Sequence, residues 1–546
     1  MTRRELVAAF LGAAVANASC RKERPRAQVP GALVDRAVET GHRLRPGSGT
    51  APLPRAKEIQ NVEVLIAGGG VAGLSAAWRL RGAGVKDLLL LELDEALGGT
   101  ARSGKNAVSA FPWGAHYLPA PLQDRGPAAK LLHEMGAITG TRDDGTPEIA
   151  EQLLVCEPDE RLFYRGAWYP GLYLRAGASA DDLAQLHRFE RRMVALSALR
   201  DGRGRKVFAV PLEEGSDDAE WTALDRISMA EWLEREGFTS PRLRWYVDYA
   251  CRDDYGAPAE RISAWAGLWY FCARRDGEKE NAGFLTWPEG NGRLVRQLSS
   301  SLLPKQHRTN VLVHTLEPKD GGWLAHAWDA QKKAPLGFFA RQVVFAGPRF
   351  VAGYVVAPWR TARPGFLDAF VYGPWAVANV TLNQLPLGRG YPICWDNVFY
   401  ESRSLGYVVA THQREVATDV GPTVLTWYYP LDGADVRAER QRLLQADYNA
   451  WEALVMADLR AAHPGVDDLV TRIEVMRWGH AMIRPVPGFV WGGARTKAQA
   501  SIGGSLHFAH SDLGGLALFE EANWHGVRAA EQVLAALGRS VSSWLG

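Results

Sequence analysis

Val62-Glu63-Val64-Leu65-Ile66-Ala67-Gly68-Gly69-Gly70-Val71-Ala72-Gly73 decides how this chain is read. An apolar run enters a glycine turn, and a stretch with Val71, Leu74, Ala77 and Leu80 at helical spacing leaves it. The pattern predicts a strand, a tight turn and a helix. Gly68 permits the turn, Gly70 lets the backbone approach a pyrophosphate, and Gly73 lets the helix pack close to the strand. The helix N-terminus, at Val71 and Ala72, offers free N–H groups and a partial positive charge to that pyrophosphate. Nineteen residues past Gly73, Glu92 closes a second apolar run, Leu88 to Leu91. A carboxylate there accepts hydrogen bonds from an adenosine ribose, which completes a dinucleotide-binding context.

Gly98-Gly99-Thr100-Ala101-Arg102-Ser103 follows a short acidic turn. With this segment the chain resembles the FAD-dependent amine oxidase superfamily, which includes protoporphyrinogen oxidases and carotenoid desaturases. Its members carry a Gly-Gly doublet and a basic residue just after the ribose-binding Glu. The resemblance implies that Gly98, Gly99, Thr100 and Arg102 wrap the FAD pyrophosphate and ribityl chain, a segment that an NAD dehydrogenase does not need. Gly114-Ala115-His116-Tyr117 resembles the next segment beside the flavin. Trp287 to Gly292 resembles the return of the chain to the FAD domain. Asn310 to Val313 and Ala340 to Pro348 resemble two later strands, with Val313 on the adenine side. Leu506 to Ala509 resembles the last strand, and Glu521 to Ala530 the final helix, whose N-terminus near Ala522 points at the flavin. The family places Gly-Asp or Gly-Glu directly after Phe-Ala; here His510-Ser511 intervenes and Asp512 is the expected ribityl contact.

The resemblance also marks a reacting face. Arg477 to Gly488 resembles the segment that covers the flavin in amine oxidases, which makes Trp478, His480 and Met482 candidates there. Some relatives bind FAD covalently through a cysteine near the place of His480; none stands here, so non-covalent FAD is expected. Asn379 occupies the position of a lysine that holds a water at flavin N5, and Leu518 that of an aromatic-cage tyrosine. Both departures weigh against a strict amine oxidase. Trp395-Asp396-Asn397 with Tyr407 and His412 reads either as a site for a cationic ligand or as a strand–turn–strand with Asp-Asn turn chemistry.

Composition bounds the rest. The chain has 546 residues and a net charge of +2, with no basic run interleaved with aromatics, so no nucleic-acid partner is expected. Apart from Cys20 there are four cysteines and no CxxC pair, so they read as free thiols. His507, His510 and His525 have no ligand spacing, and no metal is expected. Thr2-Arg3-Arg4-Glu5-Leu6-Val7 resembles a twin-arginine export motif ahead of the short apolar stretch Leu6–Val15. Cleavage after Ala18, or lipidation of Cys20, are the alternative outcomes. The expected location is the periplasm or the outer side of the cytoplasmic membrane, anchored there through Cys20 if it is lipidated.

The expected fold class is α/β: a Rossmann-like FAD-binding domain with an inserted α+β substrate domain. Its segments are a signal peptide (1–20), a linker (21–57), FAD-binding parts (58–118, 285–350 and 495–546) and substrate-domain parts (119–284 and 351–494). The expected activity is hydride transfer from a small organic substrate, an amine or related molecule, to flavin N5, with the electron acceptor left open. Desaturation or isomerisation of a hydrophobic substrate is the alternative, and a non-catalytic flavin-binding protein of the same fold is a third reading.

Overall fold

The computed structural model describes residues 28–35, 37–45, 47, 51–413 and 421–545. The expected signal segment, with Cys20, lies outside them. Among the described residues no helix is long and apolar enough to cross a membrane.

Two sheets organise the chain. The first has seven strands drawn from three separated stretches. Its centre is Gln60–Ala67, flanked in parallel by Leu88–Leu91 and Ala334–Phe345. Gly322–Asp329 and Val311–Lys319 continue it antiparallel, and Leu506–Phe508 pairs in parallel with Ala334–Phe345. The central strands are apolar on both faces because both are covered. Val64 and Ile66 lie under the helices Val71–Gly82 and Phe519–Ala536, while Leu65 and Ala67 face the other core.

The two helices are in unusually close contact. A Cβ added at Gly526 would lie 2.3 Å from the carbonyl oxygen of Ala72 and 2.7 Å from Cβ of Ser75. Asn523 donates to the Ser75 hydroxyl at 2.9 Å beside it. The last helix of the chain is thereby fixed against the first helix of the glycine turn.

The second sheet has eight strands. Tyr372–Leu382 runs antiparallel between Val470–Ile483 and Thr423–Pro430, and the sheet continues through Gly406–Val409, Asp396–Phe399, Glu160–Tyr164 and Ala167–Pro170. Helices Ala180–Ser197, Pro241–Tyr255 and Ala264–Cys272 pack together beside it.

One expectation fails here. The stretch 21–57, read as a linker, is in part a built element. Gly31–Leu33 forms the edge strand of the eight-stranded sheet, parallel to Ile473–Val475, and Val38–His42 is a short helix. Arg, Pro and Gly content describes the flanks of this segment; the unpaired edge of Val470–Ile483 supplies the order.

Gly526→Leu is expected to push the two helices apart and lower stability by about 1–3 kcal/mol, the usual cost of overpacking. Thermal unfolding beside a surface control such as Leu454→Ala checks this.

Candidate functional site

The glycine turn is held by contacts that a side chain would break. Gly68 has φ +114°, and Gly98 and Gly99 have φ +119° and +56°. A Cβ at Gly73 would lie 1.9 Å from the Gly68 carbonyl oxygen. At Gly70 a Cβ would meet nothing nearer than Gly99 Cα at 4.0 Å, so this face is open. Gly70 and Gly98 bridge in parallel, which joins the two glycine motifs into one cradle. No side chain caps the helix Val71–Gly82 at its N-terminus, and the first amides there suit an anion.

Glu92 projects from the end of Leu88–Leu91. Its carboxylate accepts from the Gly69 N–H at 2.6 Å and the Asp94 N–H at 2.7 Å. Burial raises its pKa, against those two hydrogen bonds. Arg102, only 7% exposed, pairs with Asp94 and leans over the Trp478 ring at 5.6 Å. Its Nε has no hydrogen-bond partner. A buried guanidinium with an open donor beside an uncapped helix and a glycine cradle fits a diphosphate group.

The segment after the cradle is tied back to it. Trp113 N–H donates to Arg102 O at 3.1 Å and Ala115 N–H to Thr100 O at 3.0 Å. Gly114 is required there, since a Cβ would lie 2.3 Å from Thr100 O. Val313 is buried in its strand opposite Ala327, and Ala522 is buried in the first turns of the last helix. Asp512 is enclosed: it accepts from Arg349 N–H at 2.9 Å and from the Tyr372 hydroxyl, with His510 Nδ1 2.9 Å away. Burial pushes its pKa up, but these partners together hold it below the ordinary value.

Three candidates for the reacting face part company. Met476 and Trp478 share one face of Val470–Ile483, but the register shifts between Trp478 and Met482, so His480 and Met482 sit in an irregular stretch and have separate surroundings. His480 stacks on Phe350 at 4.1 Å, its Nδ1 has no partner, and burial drives its pKa down to about 3, so the imidazole is neutral. Met482 lies at the other end, where a Cβ at Gly256 would be 3.6 Å from its Sδ. Asn379 departs from its expected role. It is 1% exposed, donates to Pro112 O at 3.0 Å and accepts from the Thr426 hydroxyl at 2.7 Å. It ties the sheet to the segment before Gly114, with its amide engaged on both sides.

An acidic, aromatic chamber adjoins His116. The His116 ring lies 4.9 Å from Tyr428 and 5.4 Å from Trp395, and Tyr428 donates to Gly114 O at 2.8 Å. Asp253 and Asp254, at the end of Pro241–Tyr255, come together here with Asp396 and Glu160. Among the described residues none of the four has an ion pair within 4.0 Å, and Asp254 Oδ2 has no hydrogen-bond partner. Burial raises all four pKa values, Asp253 to about 8 and Glu160 to about 7. Arg274 and Tyr117 stand beside Asp254. Glu160 also lines a cavity of about 340 Å³ with Tyr173, Phe189, Tyr246 and Phe271. Burial lowers the His116 pKa to about 4.

Of the Trp395-Asp396-Asn397 group, strand alternation splits the roles. Asn397 accepts from Arg161 Nε and bonds to Cys394, and Tyr407 bonds to Arg161 and His463, so these two are structural. Asp396 points the other way, towards Glu160 and Asp253, and Trp395, just before the strand, meets the rings of His116 and Tyr117. The chamber's remaining acids went unnoticed in the sequence, where only the doublet Asp253-Asp254 in an aromatic helix could have signalled them. Cys251, Cys272 and Cys394 are buried free thiols and Cys156 is exposed. His507, His510 and His525 do not converge: His507 bonds Ser501 and Gln342, and His510 bonds Asp512. Asp201, Asp217 and Asp218 cluster, and Arg203 and Arg205 pair with Asp201 and Asp217.

Residues 66–135 match the family model of the NAD(P)-binding Rossmann-like domain. No curated protein matches the sequence. Among solved structures, wild-type putrescine oxidase bound to putrescine superposes with a TM-score of 0.64 at 16% identity, over 88% of this chain and 100% of that one. Cyclohexylamine oxidase from Brevibacterium oxydans IH-35A gives 0.60 at 15%, over 88% and 100%. A CLA-producing fatty acid isomerase from P. acnes gives 0.59 at 15%, over 85% and 97%. The fold is the one these enzymes share. Its α/β class and its dinucleotide domain agree with the expectation from the glycine motif.

Glu521 generates a stability prediction. It is fully buried, accepts from Leu212 N–H at 2.6 Å, and burial pushes its pKa up to about 8. The folded chain therefore keeps a proton that the unfolded chain loses near its ordinary carboxyl pKa. This group's contribution falls as pH rises through that interval, by up to about 1.4 kcal/mol per pH unit, and is level above pH 8. Glu521→Gln keeps the acceptor and removes the titration. Chemical denaturation at several pH values should show the variant gaining on the parent between pH 5 and 8.

Proposed function

We propose that this protein is a FAD-dependent oxidoreductase that oxidises an aliphatic amine, the reacting carbon giving up a hydride. The observation that carries the reading is the group of four buried carboxyls, Glu160, Asp253, Asp254 and Asp396, which outnumber the neighbouring Arg274 and lie among the rings of Tyr117, Trp395 and Tyr428. An isolated buried carboxylate costs several kcal/mol, so the empty chamber holds these groups largely protonated. A bound ammonium group changes the balance: it pairs with a carboxylate and lies against aromatic faces. Asp253 then suits a second task. With a pKa near 8 it takes a proton from the ammonium group, returning to the neutral form its surroundings favour and freeing the nitrogen lone pair. That lone pair drives hydride loss from the adjacent carbon.

Bound FAD would supply the hydride acceptor, at its N5. Gly68, Gly70, Gly98, Gly99, Glu92 and Arg102 would hold its diphosphate and ribose, and Gly114 to His116 would border the ring. No cysteine stands on the strand of Trp478, His480 and Met482, which supports non-covalent attachment. The neutral His480 serves this reading as a wall beside Tyr372 and Asp512, and Met482 as part of the chamber floor. A fatty acid would bring its own carboxylate into this acidic chamber, so the isomerase alternative is disfavoured. Export, with or without lipidation of Cys20, belongs to the same proposal and rests on the Arg3-Arg4 motif. The electron acceptor is left open.

The test is the visible spectrum of the flavin-loaded protein under anaerobic conditions. Diamines and polyamines should bleach the flavin bands. Bleaching by unsaturated fatty acids but not by amines would overturn the reading. Asp253→Asn and Asp396→Asn should raise the amine KM at least about tenfold with flavin content unchanged, the scale of one lost charge-assisted contact. Because Glu160 and Asp253 ionise near pH 7 and 8, KM should fall as pH rises from 6 to 8.5. The variants should flatten that profile.

A further inference from the structure

The N-terminal arm makes contacts that a tether has no need of. Val29 O accepts from the Tyr448 hydroxyl at 2.8 Å, and Gly31–Leu33 pairs with the strand that carries Trp478 and His480. The fit at Gly31 is close: a Cβ would lie 1.8 Å from Ile473 O and 2.4 Å from the Tyr448 hydroxyl. Val34 N–H donates to Val475 O at 2.9 Å, and its side chain packs on Phe111, Trp113 and Met476. Those residues border Arg102, since Met476 Sδ lies 3.7 Å from its Nη2. Asp35, with a side chain 4% exposed, forms a forked pair with Arg477 at 2.9 and 3.0 Å.

The arm then crosses to the other domain. Gly41 lies close to Leu93, next to Glu92: a Cβ added there would be 3.3 Å from Leu93 Cδ2. Arg43 lies over the Trp328 ring at 5.0 Å, and Leu44 packs on the core beneath the dinucleotide sheet. One segment thus touches the strand over the expected flavin, the residues around Arg102 and the end of the Glu92 strand.

We propose that residues 28–35 and 37–45 are a clasp on the cofactor: they bridge the substrate sheet and the dinucleotide domain, and slow the loss of a bound dinucleotide. The inference rests on the dinucleotide reading above. It gives the arm a part in holding the cofactor through shape, by blocking the way out, without a direct bond to it.

The experiment uses the full chain loaded with FAD. Gly31→Val lifts the edge strand through its clash with Ile473, far from the cradle. Hydrogen exchange at the Val34 and Ile473 amides reports whether the arm is docked. Flavin fluorescence after dilution reports the rate of release. The clasp predicts that Gly31→Val exposes both amides and releases FAD at least tenfold faster than the parent, with Leu454→Ala unchanged. Asp35→Asn and Arg43→Ala, which loosen the arm at separate points, should each speed release at least threefold, and they carry the test if Gly31→Val does not fold. Unchanged release from variants whose arm is undocked would overturn the clasp and leave the dinucleotide reading standing. A parent protein that takes up no FAD would overturn both.

Discussion

The contact of the Gly73 backbone with the carbonyl of Gly68 is the constraint on which the structure turns. It brings the first residues of Val71–Gly82 directly over the end of Gln60–Ala67. Only then can the uncapped helix end, the open face of Gly70 and the second glycine turn at Gly98 share one small space. The same helix sets the end of the chain, since Gly526 meets Ala72 and Asn523 meets Ser75. Three stretches separated by hundreds of residues thereby become one domain. A side chain at Gly73 would do more than strain a turn; it would move the surface on which the last helix is built.

From that cradle the chain passes outward through linked backbone. Arg102, Thr100, Trp113 and Ala115 exchange hydrogen bonds, and Gly114 permits their close approach. His116 follows at once, its carbonyl held by the Thr286 hydroxyl at 2.8 Å. The distance from the diphosphate site to the chamber is therefore fixed by rigid local geometry. Asn379 shows how this is reinforced: its amide ties Pro112 to the middle of the eight-stranded sheet. A residue that sequence comparison assigns to the reaction serves to locate the segment that borders it.

What the sequence makes legible follows from range. The glycine turn, Glu92 and the doublet at Gly98 are readable because their meaning lies in spacing within about forty residues. The separated strands of the dinucleotide domain are readable because each carries a short apolar signature. The chamber as a whole is not, because Glu160, Asp396 and Tyr428 come from separate strands of the eight-stranded sheet, Asp253 from a helix and Tyr117 from a two-stranded ribbon, and they meet only in the tertiary fold. Asp396 illustrates the difficulty: its neighbour Asn397 turns to the opposite face and does purely structural work. The arm at 31–33 escaped for another reason. Three residues have no periodicity to read, and their order comes from the edge of a strand more than four hundred residues away.

The near-neutral net charge conceals a molecule with two poles. One end of the site offers cations: the N-terminus of Val71–Gly82, Arg102, and Arg440 beside the backbone of Gly479. The other gathers Glu160, Asp253, Asp254 and Asp396, with Arg274 beside the Asp253-Asp254 doublet. His116 and His480, which could have blurred the division, are both kept neutral by burial. Burial makes ionisation costly at the acidic pole and raises all four carboxyl pKa values, while Arg102 at the other pole is paired with Asp94. The backbone ladder from Arg102 to His116 holds the two poles a fixed distance apart, and a charged ligand that binds either pole of the folded chain alone adds to folding stability by mass action.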